Sequence, residues 1–203
     1  GLEEALRARG VRFLLGTKVT NLITDGQRLR AAQSSAGAIE ADAFVLAMAT
    51  GSVPLARGIG IRLPVYPLKG YSATVHVEGG RNNAPRVSVT DAARKIVFAR
   101  LGDRMRIAGM AELVGRDNSI NDARIETLLT AGREIFPHAS DYLALERWAG
   151  LRPATPTGLP IVGSLRGAPV NLLFNTGHGA LGFTLAFGTA QALLGPLRTV
   201  GRA

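Results

Sequence analysis

The stretch that decides the fold is residues 172–184, which read LLFNTGHGALGFT. Residues 172–176 are mostly apolar and predict a buried strand, and the glycines that follow predict a tight turn. Residues 183–194 predict a helix. A strand, a glycine turn and a helix in this order place unpaired backbone N–H groups at the helix start, where an anionic or electron-rich group is stabilised. A tight turn without a ligand is the alternative.

Residues 177–182 also match the G-x-G-x-x-G pattern of dinucleotide-binding folds. We reject that interpretation, because the pattern requires a second parallel strand and an acidic residue about 20 positions later. Only residues 183–203 follow Gly182, and no Asp or Glu occurs after Glu146. The segment therefore predicts a backbone-rich turn in another kind of site.

A second informative segment is residues 146–160, which read ERWAGLRPATPTGLP. Arg152 lies here between an apolar strand and a loop stiffened by three prolines, so its position is fixed. A planar guanidinium in a fixed place can hold a carboxylate through two parallel hydrogen bonds. The alternative is a surface arginine that pairs with Glu146 or Asp141.

The chain upstream of these segments predicts two kinds of structure. The first part begins with the end of a helix at residues 2–9 and continues with strands at residues 11–15, 19–23, 29–33, 39–41 and 44–49, the last ending in a turn at Thr50 and Gly51. After Pro54 and a loop at residues 57–64, alternation of apolar and polar residues predicts an antiparallel sheet. Its strands are residues 71–77, 86–90, 96–100 and 105–113, followed by a helix that Ser119 caps and Pro137 ends, and by strands at 143–148 and 161–163.

Composition narrows the class of protein. The 203 residues are 46% hydrophobic and 19% charged, which predicts a globular protein, and aromatic residues at 5% are too few for stacking on single-stranded nucleic acid. A net charge of +9 favours anionic partners, unless it reflects a generally basic proteome. Cysteine is absent, which excludes disulfides and thiolate metal sites in these residues.

The two ends of the chain give further expectations. There is no secretory signal, and the lack of an initial Met suggests a fragment. Residues 167–197 carry no charged side chain, but prolines, asparagines and glycines interrupt them. We therefore expect no membrane span there.

Three segments together resemble one enzyme family. Residues 67–72 (PLKGYS), residues 147–153 (RWAGLRP) and residues 177–184 (GHGALGFT) resemble the D-amino-acid oxidase-like superfamily of FAD-dependent oxidoreductases. The resemblance is closest to bacterial D-amino-acid dehydrogenase small subunits and covers nearly the whole chain, as a C-terminal part of such a protein.

The resemblance implies an α/β (α+β) fold. Part of an FAD/NAD(P)-binding Rossmann-like domain would be combined with a mainly antiparallel substrate-binding sheet and a flanking helix. The implied domains are residues 1–66, a partial FAD-binding domain, residues 67–150, the substrate-binding domain, and residues 151–203, a return to the FAD-binding domain. The N-terminal segment that carries the true G-x-G-x-x-G motif is missing, so we expect the piece alone to be inactive.

The resemblance also implies roles for particular residues. Arg152 would bind the substrate carboxylate. The cofactor would contact Val19, Thr50, Gly51, Gly177, His178, Gly179, Ala180, Leu181, Gly182, Phe183 and Thr184. Proton transfer by His178 is a secondary hypothesis, and Tyr66, Lys69 and Tyr71 either line the pocket or serve the sheet structurally.

The implied chemistry is oxidative deamination of a D-amino acid, with a hydride passing from Cα to FAD and the imino acid hydrolysing to a keto acid and ammonia. Electrons would continue to a quinone or respiratory acceptor. The resemblance implies a cytoplasmic protein in peripheral contact with the inner membrane, with no metal and no nucleic acid. Two alternatives remain: a glycine or sarcosine-type amine oxidase of the same superfamily, and a non-enzymatic basic anion-binding module.

Overall fold

The structure, a computed structural model, describes residues 1–78, 83–143 and 145–200. Its helices and strands in chain order are α1 (Leu2–Ala8), β1 (Val19–Asp25), β2 (Arg28–Ser34), β3 (Gly37–Glu40), β4 (Phe44–Leu46), α2 (Ser52–Gly58), β5 (Tyr66–His76), β6 (Val89–Asp91), β7 (Ile96–Leu101), β8 (Arg104–Glu112), α3 (Asp122–Ile135), β9 (Leu145–Ala154), β10 (Ile161–Gly163), β11 (Leu172–Thr176) and α4 (Gly182–Val200). Short 3-10 turns at Ala49–Gly51 and Gly179–Leu181 precede α2 and α4.

The chain forms two compact units. The first, here called the meander unit, comprises Gly1–Leu63, Ile161–Thr176 and Thr184–Ala203. The second, here called the sheet unit, comprises Pro64–Pro160 and Gly177–Phe183. This grouping assigns residues 151–160 and 177–183 to the sheet unit, whereas the predicted domain boundary lies at residue 150; the boundaries themselves stay a prediction.

The meander unit contains two three-stranded sheets. Strands β1, β2 and β3 form an antiparallel meander, and β11 lies between β10 and β4, antiparallel to the first and parallel to the second. The buried Asn171 joins the two sheets, since its Nδ2 donates to Leu29 O at 2.8 Å and Asp42 O at 3.1 Å and its Oδ1 accepts from Leu29 N at 2.7 Å. One amide side chain thus satisfies backbone groups that the short strands leave unpaired.

The sheet unit is built on five antiparallel strands in the order β6, β7, β8, β5 and β9. Because side chains alternate along a strand, Tyr71, Ala73 and Val75 of β5 share one face, where they join the core with Ile107 of β8. Helix α3 covers this face through Ile125, Leu128, Leu129 and Ala131. The predicted mixture of helices with a mainly antiparallel sheet is confirmed.

Helix α4 is longer than the sequence predicts and is largely exposed. It continues without a break from Gly182 through Gly188 and Pro196 to Val200, and the strand Leu172–Thr176 and the glycine turn interrupt the apolar stretch before it, as expected. Residues Gly179–Val200 are the one described segment long and apolar enough, by length and composition alone, to cross a membrane.

Several local predictions differ from the structure. Residues 11–15 form no strand, since no described strand pairs with them. Residues Ser52–Gly58 form α2, a helix that was not predicted and that includes the first two residues of the predicted loop 57–64. Pro54 is compatible with this helix because it falls in the first turn, where a missing N–H costs nothing. The cap of α3 is Asn121, whose side chain accepts from Ala123 N at 3.0 Å, while Ser119 N donates to Asp117 Oδ1 at 2.8 Å.

Candidate active site

The face of the sheet opposite α3 carries the candidate site, and we call it the open face. Cross-strand pairing places Thr74 of β5 beside Arg106 of β8 and Ser72 beside Trp148 of β9. Arg152 follows on β9, four residues beyond Trp148 and so on the same face. These side chains are polar or aromatic, in contrast to the aliphatic face under α3.

Two glycines let long side chains lie flat on the open face. A Cβ at Gly70 would overlap the guanidinium of Arg152, and a Cβ at Gly150 would overlap the indole of Trp148. Gly70 and Gly150 are directly paired across β5 and β9. The Gly–Gly pair therefore leaves a shallow trough in which Arg152 and Trp148 are seated side by side.

Arg152 is half-buried and pairs with no carboxylate in the described residues. Its Nη1 donates to Met110 O at 3.0 Å, and burial lowers the pKa of its guanidinium. The alternative partners expected from sequence are engaged elsewhere: Glu146 pairs with Arg104 at 3.0 Å, and Asp141 Oδ1 accepts from Leu143 N at 2.9 Å. The surface-pairing alternative is therefore wrong, and the remaining donors of Arg152 are available to a ligand.

The carbonyl that holds Arg152 comes from a bulge in β8. Lys69 pairs with Glu112 and Tyr71 pairs with Gly109, so Met110 and its neighbour bulge out opposite Gly70. Met110 has φ +70, a left-handed conformation that is unfavourable for a residue with a side chain. The bulge turns the Met110 carbonyl toward the guanidinium instead of toward β5.

A cavity of about 320 Å³ opens beside Arg152. It is lined by open-face side chains from three strands, among them Arg106, Trp148 and Arg152, together with Ser72 and Thr74. Its size suits a small amino acid, since ligand pockets of this kind begin at roughly 300 Å³. The cavity lies wholly within the sheet unit.

A polar network lies behind the bulge. Lys69 is only 1% exposed, and its Nζ donates to Asp117 Oδ2 at 2.9 Å. Tyr71 donates to Glu112 Oε2 at 2.8 Å, and Arg124 pairs with Glu112 at 2.6 Å. The bond from Lys69 lowers the pKa of Asp117 to about 2, and the bond from Tyr71 lowers the pKa of Glu112. These contacts brace both ends of the bulge that carries Met110.

The glycine turn belongs to the same unit as Arg152. Gly177 and Gly179 have φ +81 and +56, conformations that glycine adopts without strain, and the turn Gly179–Leu181 packs against β9. Both features of the predicted site thus belong to the sheet unit, and the turn contacts the strand that carries Arg152. His178 is half-buried within this turn, and burial lowers the pKa of its imidazole.

The glycine turn has room for a flat ring. A Cβ built at Gly179 meets no atom within 4 Å, so the turn faces open space, and the N–H groups of Gly182 and Phe183 begin α4. Buried just before the turn, Asn175 Oδ1 accepts no hydrogen bond from any described residue. An open cradle of backbone donors fits the electron-rich edge of a flavin.

The other predicted cofactor residues lie in the meander unit. Since β4 and β11 are parallel, their carboxyl ends meet at one edge of the sheet, and Thr176 Oγ1 donates to Ala49 O at 2.9 Å there. Thr50 and Gly51 are therefore held at the end of β4. This edge is where open parallel sheets bind nucleotides. Val19 begins β1, and Thr184 lies in the first turn of α4.

Sequence reasoning missed several residues of the cavity. Gly70 and Trp148 were within noted segments but without a role, and Met110, Thr74 and Arg106 were not singled out. Alternation along β8 places Arg106 and Ala108 opposite the buried Met105 and Ile107, so it could have assigned Arg106 to the open face. Among the described residues, no group of three His, Asp or Glu side chains is arranged to hold a metal ion.

The fold defines a class of flavin-dependent oxidoreductases. It matches L-proline dehydrogenase from P. horikoshii with a TM-score of 0.79 at 17% identity over 96% of this chain and 52% of that one. It also matches L-alpha-glycerophosphate oxidase from Mycoplasma pneumoniae, solved with FAD bound, with a TM-score of 0.79 at 16% identity over 97% of this chain and 54% of that one. At such identities the likeness shows the fold.

The chain belongs to the family described as FAD dependent oxidoreductase (DAO), whose model matches residues 1–194. It is 48% identical over 193 residues to D-amino acid dehydrogenase 2 of Pseudomonas aeruginosa, covering 95% of this chain and 45% of that protein. It is 44% identical over 185 residues to D-amino acid dehydrogenase of Paramagnetospirillum magneticum, covering 91% of this chain and 43% of that protein.

These matches confirm the predicted family and fold class, and FAD is the cofactor of that family. The chain spans less than half the length of the curated relatives it matches.

Proposed function

We propose that the complete protein containing this chain oxidises D-amino acids with FAD. The observation that carries the proposal is Arg152, a half-buried guanidinium with no carboxylate partner among the described residues, facing a cavity of about 320 Å³ on a strand that packs against the glycine turn. Similarity to two D-amino acid dehydrogenases supports the choice of substrate.

Arg152 binds the substrate carboxylate through its free donors, while Met110 O holds the guanidinium in place. Because the planar guanidinium is already oriented, it loses little entropy when the substrate binds, and it fixes the direction of the substrate Cα. Trp148, seated beside Arg152, limits how the substrate can rotate. These residues bind the substrate and orient it.

Bound FAD supplies a hydride acceptor for the substrate Cα–H bond, which leaves an imino acid that water hydrolyses to a keto acid and ammonia. The turn at residues 177–184 would offer backbone donors to the flavin ring, and Val19, Thr50 and Gly51 would hold other parts of the cofactor. His178 has a second role in proton transfer if its lowered pKa keeps the imidazole neutral near pH 7.

A segment preceding Gly1 completes the FAD site in this proposal. Phe183 and Phe187 of α4 are 97% and 77% exposed, and Asn175 Oδ1 is buried without a donor among the described residues. A further segment packed on α4 would cover the two exposed phenylalanines. An N–H group of such a segment would donate a hydrogen bond to Asn175 Oδ1. The piece of residues 1–203 alone would then be inactive.

Electrons leave to a quinone or respiratory acceptor, and the protein is cytoplasmic with a peripheral contact at the inner membrane. The net charge of +9 supports attraction to an anionic surface. A glycine or sarcosine-type oxidase is the alternative, supported by the fold match to glycine oxidase from Geobacillus kaustophilus, with a TM-score of 0.77 at 23% identity over 90% of this chain and 48% of that one.

One panel of substrates tests the proposal and separates the two activities. The complete enzyme is mixed anaerobically with D-alanine, L-alanine, glycine or sarcosine, and bleaching of the flavin absorbance is followed, then repeated in air and with a soluble quinone. We expect reduction by D-alanine and turnover that depends on the quinone and not on oxygen. Reduction by glycine or sarcosine alone, with oxygen as acceptor, would establish the alternative.

A further inference from the structure

The cavity on the open face holds a second guanidinium that the proposed reaction does not use. Arg106 lines the cavity, and its Nε donates to Thr74 Oγ1 at 3.1 Å. Within the described parts of the chain, no carboxylate forms an ion pair with Arg106, although Arg104 on the same strand pairs with Glu146 at 3.0 Å. The terminal nitrogens of Arg106 are therefore available to an anion.

The two guanidiniums are spaced along β5. That of Arg152 lies over Gly70, and that of Arg106 is tied to Thr74, four residues further along the strand. Four residues of strand span about 13 Å. A five-carbon dicarboxylate has its carboxyl carbons about 5 Å apart when extended. A hydrogen-bonded guanidinium at each end adds about 4 Å, so such a molecule with its two guanidiniums matches the length of backbone from Gly70 to Thr74.

The surface between the two guanidiniums is largely apolar. Ala108 and Trp148 line the middle of the cavity, with Ser72 between their strands. Methylene groups suit this surface, and a charged group does not. Glu146 also lines the cavity at the Arg106 end, but it is paired with Arg104, so the two arginines and one carboxylate there leave a net positive charge.

We propose that Arg106 determines specificity by binding a carboxylate on the substrate side chain, so that the preferred substrate is an acidic D-amino acid of glutamate length. The inference rests on the proposed function, with Arg152 on the α-carboxylate. The cavity presents a guanidinium, then an apolar wall, then a second guanidinium. The substrate presents a carboxylate, then methylene groups, then a second carboxylate, so the two orders match.

The kinetic test compares D-glutamate with D-norvaline, which has a similar chain length without the second carboxylate. In the complete enzyme, Arg106→Gln should raise KM for D-glutamate by on the order of tenfold and leave KM for D-norvaline and kcat for both nearly unchanged. The matched control is Arg100→Gln, which removes the same charge from β7 away from the cavity and should affect neither substrate.

A binding test gives a readout that does not require turnover. Glutarate and pentanoate, which have the same number of carbons and differ by one carboxylate, are titrated by calorimetry into the wild-type and Arg106→Gln enzymes. We expect wild type to prefer glutarate by on the order of tenfold and Arg106→Gln to lose that preference.

The outcomes separate this inference from the proposed function. If wild type oxidises D-norvaline but binds glutarate no better than pentanoate, or if Arg106→Gln weakens both ligands equally, the role of Arg106 is refuted while the D-amino acid activity stands. If the glutarate preference depends on Arg106 but no D-amino acid reduces the flavin, the dicarboxylate site stands and the proposed reaction is refuted.

Discussion

The two faces of the sheet β6-β7-β8-β5-β9 are built from the same strands but do different work. The face under α3 is filled with aliphatic and aromatic side chains, including the fully buried Phe98 and Ile107. The open face carries Arg106, Trp148 and Arg152 around a cavity. The alternation of a β-strand thus lets one sequence encode a core and a binding surface at once, and the two can be altered separately.

The largest effect on the open face is expected from Arg152→Met in the complete enzyme. Losing the partner of a partly buried carboxylate costs about 2–5 kcal/mol, so kcat/KM for a D-amino acid should fall by between roughly 30-fold and a few thousand-fold. Steady-state kinetics measure this, and thermal unfolding should be nearly unchanged because Arg152 has no ion-pair partner among the described residues. Arg152→Lys should recover only part of the activity, because an ammonium cannot bind both oxygens at once.

The core face should respond in the opposite way. Leu128 of α3 is fully buried against the sheet, and Leu128→Ala should lower the free energy of unfolding by about 2–5 kcal/mol. Urea or thermal denaturation measures the loss. Below the unfolding transition the variant should keep KM close to wild type, and a large rise in KM would show that the two faces are not separable.

A smaller effect is expected from Gly70→Ala. The new Cβ would overlap the Arg152 guanidinium, which sits at the end of a flexible side chain and can move away. We therefore expect KM for the D-amino acid to rise about tenfold, which corresponds to a loss of about 1.4 kcal/mol in binding free energy. The free energy of unfolding should change little. Gly150→Ala is the matched comparison, since it displaces Trp148 instead and should change side-chain preference more than carboxylate binding.

The smallest effect concerns the pH dependence of stability. The pKa of Asp117 is lowered from 3.8 to about 2 by its bond with Lys69, so the folded state favours the charged carboxylate. The pair therefore stabilises the fold above the ordinary pKa, and its contribution is lost as pH falls toward about 2. Asp117→Asn should be less stable than wild type at neutral pH, with the difference disappearing in acid. Unfolding curves at several pH values measure it.

Much of the sheet unit could be predicted because its strands alternate regularly. The period of two in residues 105–113 predicted β8, and the apolar spacing after residue 122 predicted α3. Arg152 could be singled out because three prolines follow it closely and its motif resembles a known family. Local sequence was sufficient for these features.

Other parts of the site depend on contacts that sequence spacing does not show. The bulge at Met110 forms because β5 and β8 lose register between Lys69 and Tyr71, and nothing in the residue type predicts a left-handed methionine. The position of the Arg152 guanidinium over Gly70 depends on a contact between residues that are far apart in sequence. Helix α2 was not predicted, because its seven residues are too few to show a clear helical period, although Pro54 in its first turn is compatible with a helix.

The amide of Asn171 has a consequence for the order in which the chain acquires structure. Residues 64–160 are continuous, so the five-stranded sheet can assemble as soon as they leave the ribosome. The meander of β1 to β3 emerges earlier, but the carbonyls of Leu29 and Asp42 receive their hydrogen bonds only after Asn171, more than a hundred residues later, has been translated. Contacts of such long range form slowly, so the meander, although translated before the five-stranded sheet, is among the last parts of the described chain to reach its final structure.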